Sequence, residues 1–349
     1  MRIRSPAARS IVATLIAVAA LGIALPRNAL AQPVADFYRG KQLKVIIRAA
    51  PGGNYDLYLR LLARHIVRHI PGNPTAVPMN MPGGGGLTSL NYFDKVAPHD
   101  GTALTMVTQT QPMDQALGLD KSNIDMRALN WIGNMSDATS FLLTSRASAT
   151  RTIEDAKRRE TIIGVPSLAD ASAWLTQVTN GTLGTRFKLV PGYTSGPNMN
   201  LAMERGEIDG RGTSNPKGMF AGGSERGADG RPLFNLIVQW GLKQNPDYPE
   251  APLLSDLATS PEQKVVFDFV GRVASLARPI ATNADVPAER VAALRRAFDA
   301  TMKDPEFHAE AERQLMEITP MAGEGLAQLV TDIVNAPASV MEQVRRAVR

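Results

Sequence analysis

Short apolar runs alternate along the chain with stretches in which apolar residues recur at helical spacing. In the clearest example, residues 43–70, the β-branched and apolar Leu43–Ile47 has the composition of a buried strand. Pro51-Gly52-Gly53 interrupts it, because proline and glycine mark turns. From Asn54, a candidate helix N-cap, leucine and isoleucine recur with helical periodicity as far as Pro71-Gly72. The pattern predicts a strand, a glycine turn and a helix.

Further strand and helix patterns follow in alternation. Strands are predicted at residues 75–81, 103–107, 161–165, 187–190, 207–210 and 236–238, with a β-like stretch at 131–143 that could cross into a second domain. Helices are predicted at 87–96, 151–160, around Trp174, at 197–205 and in succession after residue 285. Strands alternating with helices predict an α/β fold of mostly parallel sheets flanked by helices.

Glycine-rich turns follow three of the predicted strands, at Pro51–Gly53, Pro82–Gly86 and Pro191–Gly196. Glycine leaves backbone N–H groups open, and a helix N-terminus carries partial positive charge. Ligands of open α/β sheets bind at the carboxyl ends of the strands, so these turns and the polar segment Thr108–Gln111 could converge on one anion. The alternative interpretation is an ordinary tight turn before each helix.

Several signatures of enzymes and metal sites are incomplete. Leu87 follows the Gly83–Gly86 run where a P-loop requires lysine, and the next strand ends without the acidic residue of a dinucleotide site. His65 and His69 are four residues apart but lie beside arginines of the same helix, which favours a solvated basic face over a metal site. No Gly-x-Ser-x-Gly elbow occurs. We therefore expect no enzymatic activity, no metal and no cofactor.

The first thirty-one residues have the pattern of a secretory signal peptide. Arginines near the start precede an apolar run, Ile11–Leu25, that is too short to span a bilayer comfortably. Ala29-Leu30-Ala31 is a cleavage site that would leave Gln32 as the mature N-terminus. The length of the run and the cleavage site disfavour the alternative, a membrane anchor.

Removing this signal changes the charge of the chain. The formal net charge is +5, and the four arginines of the signal, with no acidic residue beside them, leave the mature chain at +1. The basic excess therefore does not indicate nucleic-acid binding. Because there is no cysteine, neither a disulfide nor a lipidated cysteine is expected. The sequence predicts a freely soluble periplasmic protein, expected to be a monomer.

Several segments, by their order and spacing, resemble the exported substrate-binding receptors of tripartite tricarboxylate transporters, the TctC or Bug family. The matching segments are Ile46–Asp56, Asn80–Gly86, Ala97–Thr102, Pro191–Tyr193, Gly206–Asp209, Val286–Ala288 and Asp304–Phe307. The resemblance covers nearly all of the mature chain. It implies a two-domain, type II-like periplasmic binding protein with a ligand cleft between the domains. Such a protein closes over a small carboxylate, for example a di- or tricarboxylate, and delivers it to membrane subunits.

Three departures from the family pattern bear on the ligand. Arg48 and Ala49 stand where a proline and an aromatic residue are usual, Gly192 separates Pro191 from Tyr193, and the segment 255–280 departs from the usual pattern. Arg48 could hold a second carboxylate, or it could be a solvent-exposed arginine at a strand end. Two other functions stay open, an exported α/β hydrolase and a carboxylate-sensing subunit of a signalling system.

The predicted organisation is a signal peptide at 1–31, a discontinuous first domain at 36–137 plus 256–349, and a second domain at 138–255. The predicted ligand site lies at the carboxyl ends of the strands and comprises Arg48, Pro51, Gly52, Gly53, Asn54, Tyr55, Asp56, Gly84, Gly85, Thr108, Gln109, Ser167, Tyr193, Thr194 and Ser195. The carboxylate is expected between residues 51–56 and 193–196, with Thr108 and Gln109 as side-chain donors. Asp56 is expected to stabilise the first turn of its helix, since it would repel an anion.

Overall fold

A computed structural model describes residues 31–136, 139–214, 216–219 and 225–348, with side chains from Val34 onward. The predicted signal peptide lies outside the described residues except for Ala31, which begins the first helix. Within these ranges, every helix is too short or too polar to cross a bilayer.

Strands and helices alternate through the described residues. The strands are β1 (Gln42–Ile47), β2 (Thr75–Asn80), β3 (Ala103–Met106), β4 (Asn130–Asn134), β5 (Ser140–Ser145), β6 (Thr161–Val165), β7 (Phe187–Pro191), β8 (Gly210–Thr213), β9 (Phe234–Trp240), β10 (Pro279–Thr282) and β11 (Met321–Ala322). The helices are α1 (Ala31–Tyr38), α2 (Asn54–Ile66), α3 (Leu87–Lys95), α4 (Gln111–Ala116), α5 (Ile153–Arg158), α6 (Ala171–Leu183), α7 (Gly196–Glu204), α8 (Pro261–Ala274), α9 (Ala288–Thr301), α10 (Pro305–Arg313), α11 (Gly323–Val334) and α12 (Ala338–Ala347).

The strands form two mixed sheets flanked by helices, which confirms the predicted α/β fold. The first has the order β11-β4-β10-β3-β1-β2 and the second the order β7-β6-β8-β5-β9. β1 is parallel to β2 and β3, and β6 is parallel to β7 and β8. β10 and β5 run antiparallel to both of their neighbours. The sheets are thus more mixed than the strand–helix pattern predicted, because the chain enters each sheet antiparallel after leaving the other.

Segment 256–285 contains two elements that the sequence analysis did not predict, α8 and β10. The Ser260 side chain accepts a hydrogen bond from the Gln263 N–H, which caps α8, and Pro261 occupies its first turn. Serine followed by proline is a helix-start signal that was present in the sequence. β10 is four residues long and wholly buried, so neither length nor alternation marks it as a strand.

Three predicted boundaries are wrong by a few residues. Gly53 rather than Asn54 is the N-cap of α2, and α2 ends at Ile66 before the Pro71-Gly72 turn. The strand expected to begin at Glu207 begins at Gly210 instead. Each error is at the end of an element, where backbone hydrogen bonding decides the boundary and residue type is a weak guide.

The domain bounds stay a prediction. The chain passes between the sheets twice, from β4 to β5 and from β9 to β10. Helices α9 and α11 contact β4 of the first sheet, whereas α8 contacts β9, and α12 contacts both α6 and α8. We propose that α8 and α12 belong with the second sheet, although both lie in the range predicted for the first domain.

The basic face of α2 is solvated only in part, because Arg64 and Arg68 are exposed whereas His65 between them is buried. Glu310 of α10 accepts hydrogen bonds from Arg64 and pairs with His65, whose Nε2 lies 2.6 Å from its Oε2. Asp304 accepts from Arg68 at 2.8 Å and lies 3.0 Å from His69. The acidic residues of a distant segment neutralise this face, which attaches α10 to α2.

Asp114 in α4 is expected to make the stability of the fold depend on pH. Burial raises its pKa from 3.8 to about 6, and the negative charge of Asp120 adds to the effect. Between pH 3.8 and about pH 6, the Asp114 carboxyl group keeps its proton in the folded state but has released it in the unfolded state. The free energy of unfolding therefore falls as the pH rises through this range.

We predict that Asp114→Asn raises the free energy of unfolding by about 1–3 kcal/mol at pH 8 and by much less at pH 4. Urea denaturation at both pH values measures this. Asp268→Asn, which alters an exposed side chain of α8, is the control. An equal effect of Asp114→Asn at both pH values would show that the carboxyl group ionises normally.

Candidate functional site

A cavity of about 740 Å³ lies where the carboxyl ends of β1, β2 and β3 face those of β6, β7 and β8. Its size is in the range of small-molecule sites. The N-terminal ends of α2, α6 and α7 and the glycine run before α3 line it. Backbone N–H groups and partial positive charge therefore surround the cavity on both sides.

On the side of the first sheet, the turn before α2 presents backbone to the cavity. Gly53 caps α2 without offering a side chain to its N–H groups. Asp56 is 2% exposed and is not among the residues that line the cavity, and its carboxylate accepts hydrogen bonds from the Gly52 N–H at 2.9 Å, Arg60 at 2.7 Å and Asn80 at 2.7 Å. Burial alone would raise the pKa of Asp56, but these hydrogen bonds outweigh it and lower the pKa. Asp56 therefore stabilises the Pro51–Gly53 turn through its hydrogen bond to the Gly52 N–H.

The glycine run before α3 allows two side chains to approach the backbone closely. Gly86 has φ +108°, and a Cβ there would lie 2.7 Å from Arg48 Nε and 2.8 Å from Thr108 Oγ1. Arg48 Nη2 donates to the Gly85 carbonyl at 2.9 Å, and Thr108 Oγ1 donates to the same oxygen at 3.2 Å. Thr108 thus supports the loop, while Arg48 also lines the cavity.

On the side of the second sheet, side chains cap the helices that point at the cavity. Ser195 Oγ accepts a hydrogen bond from the Asn198 N–H at the start of α7, and the Asp170 carboxylate caps α6. The ring of Tyr193 lies 3.1 Å from where a Cβ of Gly164 would be, so glycine in β6 makes room for it. The hydroxyl-rich segment 193–195 borders the cavity.

Most of the sequence-predicted residues lie around this one cavity. The lining includes Arg48, Gly52, Gly53, Asn54, Tyr55, Gly84, Gly85, Gln109, Ser167, Tyr193, Thr194 and Ser195. Pro51, Asp56 and Thr108 do not line it. The expectation that Thr108 donates to the ligand is not met in this geometry, because its hydroxyl hydrogen bonds to a loop carbonyl.

Two buried arginines in the lining were missed by the sequence analysis. Arg211 of β8 is 7% exposed, and its Nε has no hydrogen-bond partner in the described chain. Its Nη1 donates at 3.4 Å to the Gly212 carbonyl. Burial lowers the pKa of Arg211 to about 10, which still leaves it charged at neutral pH.

Arg278, immediately before β10, is 4% exposed. Its Nη1 donates to the Ala277 carbonyl at 2.6 Å and its Nη2 to Ser214 Oγ at 2.8 Å. Its guanidinium carbon lies 4.6 Å from the ring centroid of Tyr58 and 5.1 Å from that of Tyr55. The contact with Ser214 joins Arg278 to the segment after β8, so this side chain connects the two sides of the cavity.

The residues that flank these two arginines in the sequence could have marked them as candidate site residues. Arg211 stands between two glycines, and Arg278 is the charged residue of the apolar segment 273–281. A charge inside a buried stretch is uncommon unless it is paired or functional, which makes such positions candidate site residues.

The architecture is similar to that of several solved structures. A TctC solute-binding protein from Polaromonas is 14% identical, with 88% of this chain and 99% of that chain covered and a TM-score of 0.60. The periplasmic binding protein BugD is 16% identical, with 89% and 98% covered and a TM-score of 0.66. MatC from Rhodopseudomonas palustris, solved with bound malate, is 14% identical, with 87% and 99% covered and a TM-score of 0.65. The chain has the fold of these solute-binding proteins.

No family model matches the chain, and no curated protein sequence matches it. At these low identities the comparison establishes the fold. Proteins of the TctC and Bug type are among the structures with this fold, which confirms the resemblance that the short sequence motifs indicated.

Proposed function

We propose that this protein is a periplasmic solute-binding protein that captures a small carboxylate and passes it to membrane subunits of a transporter. The observation that carries the proposal is the cavity between the two sheets, lined by helix N-termini, glycine turns and buried arginines. These groups donate hydrogen bonds and carry positive charge, which suits a carboxylate. The bound malate of MatC supports the same ligand class.

The carboxylate in this proposal lies between residues 51–54 and 193–196, with Gln109 as a side-chain donor. Gly52 and Gly53 allow the ligand to approach the backbone, and Ser195 and Gly196 bring the N-terminus of α7 to the opposite side. Export through a cleaved signal and delivery to membrane subunits complete the proposal, as the sequence resemblance implies.

Binding without catalysis is the better-supported function because the cavity lacks a general base of the histidine type. His65 and His69 pair with acidic residues of α10 and its N-cap, His99 with Asp285, and His308 with a backbone carbonyl. These are the four histidines of the sequence, and each has its partner outside the cavity lining. The arrangement therefore does not favour a hydrolase.

Titration calorimetry with malate and with its uncharged diamide tests the proposal. We expect malate to bind with one site per chain and the diamide to bind at least tenfold more weakly, because the diamide carries no charge for the arginines and helix N-termini. Equal binding of both compounds would contradict carboxylate recognition. Turnover of malate during the titration would contradict a binding-only role.

A further inference from the structure

Beyond its N-terminus, helix α7 forms part of the wall of the cavity. Gly196, Met199 and Asn200 line the cavity, and their spacing of three and four residues places them on one face of the helix. A rise of about 1.5 Å per residue puts Asn200 about 6 Å further along the helix axis than Gly196. This face therefore offers a second place of contact to a ligand whose carboxylate binds at the start of α7.

A carboxylate at the start of α7 has a cationic neighbour. The Nη1 and Nη2 atoms of Arg211 lie 3.2 and 3.3 Å from the position of a Cβ on Gly196. The partial positive charge of the helix N-terminus adds to the charge of this guanidinium group. The carboxylate end of the ligand thus has a defined place, from which the rest of the ligand can extend along α7.

The lining next to this place is apolar. Met199 is 5% exposed and Met219 is 8% exposed, and both belong to a hydrophobic cluster against which Tyr193 packs. All three side chains belong to residues that line the cavity. Methionine is unbranched, adapts its shape to its neighbours and makes favourable contacts with aromatic rings through its sulfur. An aromatic ligand body therefore suits this part of the cavity.

Asn200 has an unpaired acceptor in the same region. Its Nδ2 donates to the Met219 carbonyl at 2.6 Å, which fixes the orientation of the amide and joins Met219 to α7. Its Oδ1 is buried and has no hydrogen-bond partner among the described residues. A buried acceptor without a partner costs free energy, which indicates a donor that this part of the chain does not supply. Because Asn200 lines the cavity, the ligand can supply that donor.

We propose that the cavity binds a carboxylate with an aromatic body that ends in a hydroxyl group, and that Asn200 Oδ1 accepts a hydrogen bond from this hydroxyl. Met199 and Met219 contact the aromatic body. The inference rests on the proposed function for the position of the carboxylate and adds the remainder of the ligand. Malate makes only some of these contacts, because its hydroxyl is attached beside a carboxylate and it has no apolar ring.

Titration calorimetry with three benzoates at pH 7, where a phenol keeps its proton, tests the role of the hydroxyl. We expect 4-hydroxybenzoate to bind about 5- to 50-fold more tightly than benzoate, the effect of pairing a buried acceptor. The ether 4-methoxybenzoate keeps the oxygen but has no proton to donate, so it should bind no more tightly than benzoate. Equal affinities of 4-hydroxybenzoate and benzoate would overturn the inference.

Two variants separate contact with the hydroxyl from contact with the body. Asn200→Leu should lower the affinity for 4-hydroxybenzoate to about that for benzoate and leave benzoate binding nearly unchanged, and Asn200→Ala replaces it if it does not fold. Met199→Ser should weaken both ligands by a similar factor, roughly 3- to 10-fold, because apolar contact is lost. Asn335→Leu, at the end of α11 and outside the cavity lining, is the control and should change neither. Equal losses for both ligands in Asn200→Leu would assign Asn200 a structural role through Met219 and overturn the inference.

The uncharged compound 4-hydroxybenzamide separates this inference from the proposed function. If it binds as tightly as 4-hydroxybenzoate and Asn200→Leu weakens both, the contact with Asn200 holds and the carboxylate function fails. If malate and benzoate bind but the hydroxyl group adds no affinity, the carboxylate function holds and the inference fails. If none of these compounds binds, both fail.

Discussion

Gly53→Val is expected to lower the affinity for malate by more than about tenfold, beyond the 0.5–1.5 kcal/mol of one neutral hydrogen bond. Gly53 is the N-cap of α2 and lines the cavity, so a branched side chain there displaces the anion from the N–H groups of the helix. The fold should persist, because Gly53 has φ −76° and a Cβ would meet the nearest atoms at 3.4 and 3.5 Å.

Titration calorimetry measures the loss, and circular dichroism confirms folding. Gly325→Val is the matched control, since it makes the same change at an exposed position of α11 away from the cavity. If folded Gly53→Val bound malate as tightly as the wild type, the turn before α2 would be an ordinary turn and the site would lie elsewhere.

Gly133→Ala is expected to destabilise the fold by about 3 kcal/mol, at the upper end of the usual cost of overpacking a core. A Cβ at Gly133 would lie 2.2–2.6 Å from three ring atoms of Phe298, which is fully buried. The backbone cannot move away easily, because Gly133 pairs with Ile280 on one side and Ala322 on the other. The ring of Phe298 must therefore shift within a packed interior.

Urea denaturation of Gly133→Ala, alone and combined with Phe298→Leu, measures this effect. The smaller side chain should make room for the added methyl group, so the double variant should lose less stability than the two single changes together. A loss below about 0.5 kcal/mol in Gly133→Ala, the level of ordinary surface substitutions, would contradict the close packing of α9 on β4.

The elements that could be predicted from the sequence are those encoded by neighbouring residues. The β1–turn–α2 unit combines a β-branched run, a glycine turn and a helical repeat within thirty residues, and the structure contains all three. The glycine turn before α3 was also predictable from neighbouring residues. So was α7, where serine and proline mark the start of the helix. The edges at which ligands bind follow from strand direction, so the general place of the site was predictable.

The parts that could not be predicted depend on residues far apart in the chain. Arg278 is buried against Tyr55 and Tyr58, more than two hundred positions earlier, and local sequence does not encode that contact. The burial of His65 on the basic face of α2 was not predicted, because the acidic residues that pair with this face, Asp304 and Glu310, belong to a later segment. Thr108 was expected to donate to the ligand because its hydrogen bond to the Gly85 loop could not be foreseen.

Native mass spectrometry of the protein as purified from the cells that express it tests the central claim most directly. The account predicts one small organic acid per chain, lost when the protein is unfolded and carrying at least one carboxylate. Addition of excess malate to the purified protein should replace it. A retained ligand that is neutral or cationic, such as a sugar or an amine, and that malate does not displace would contradict carboxylate capture in this cavity.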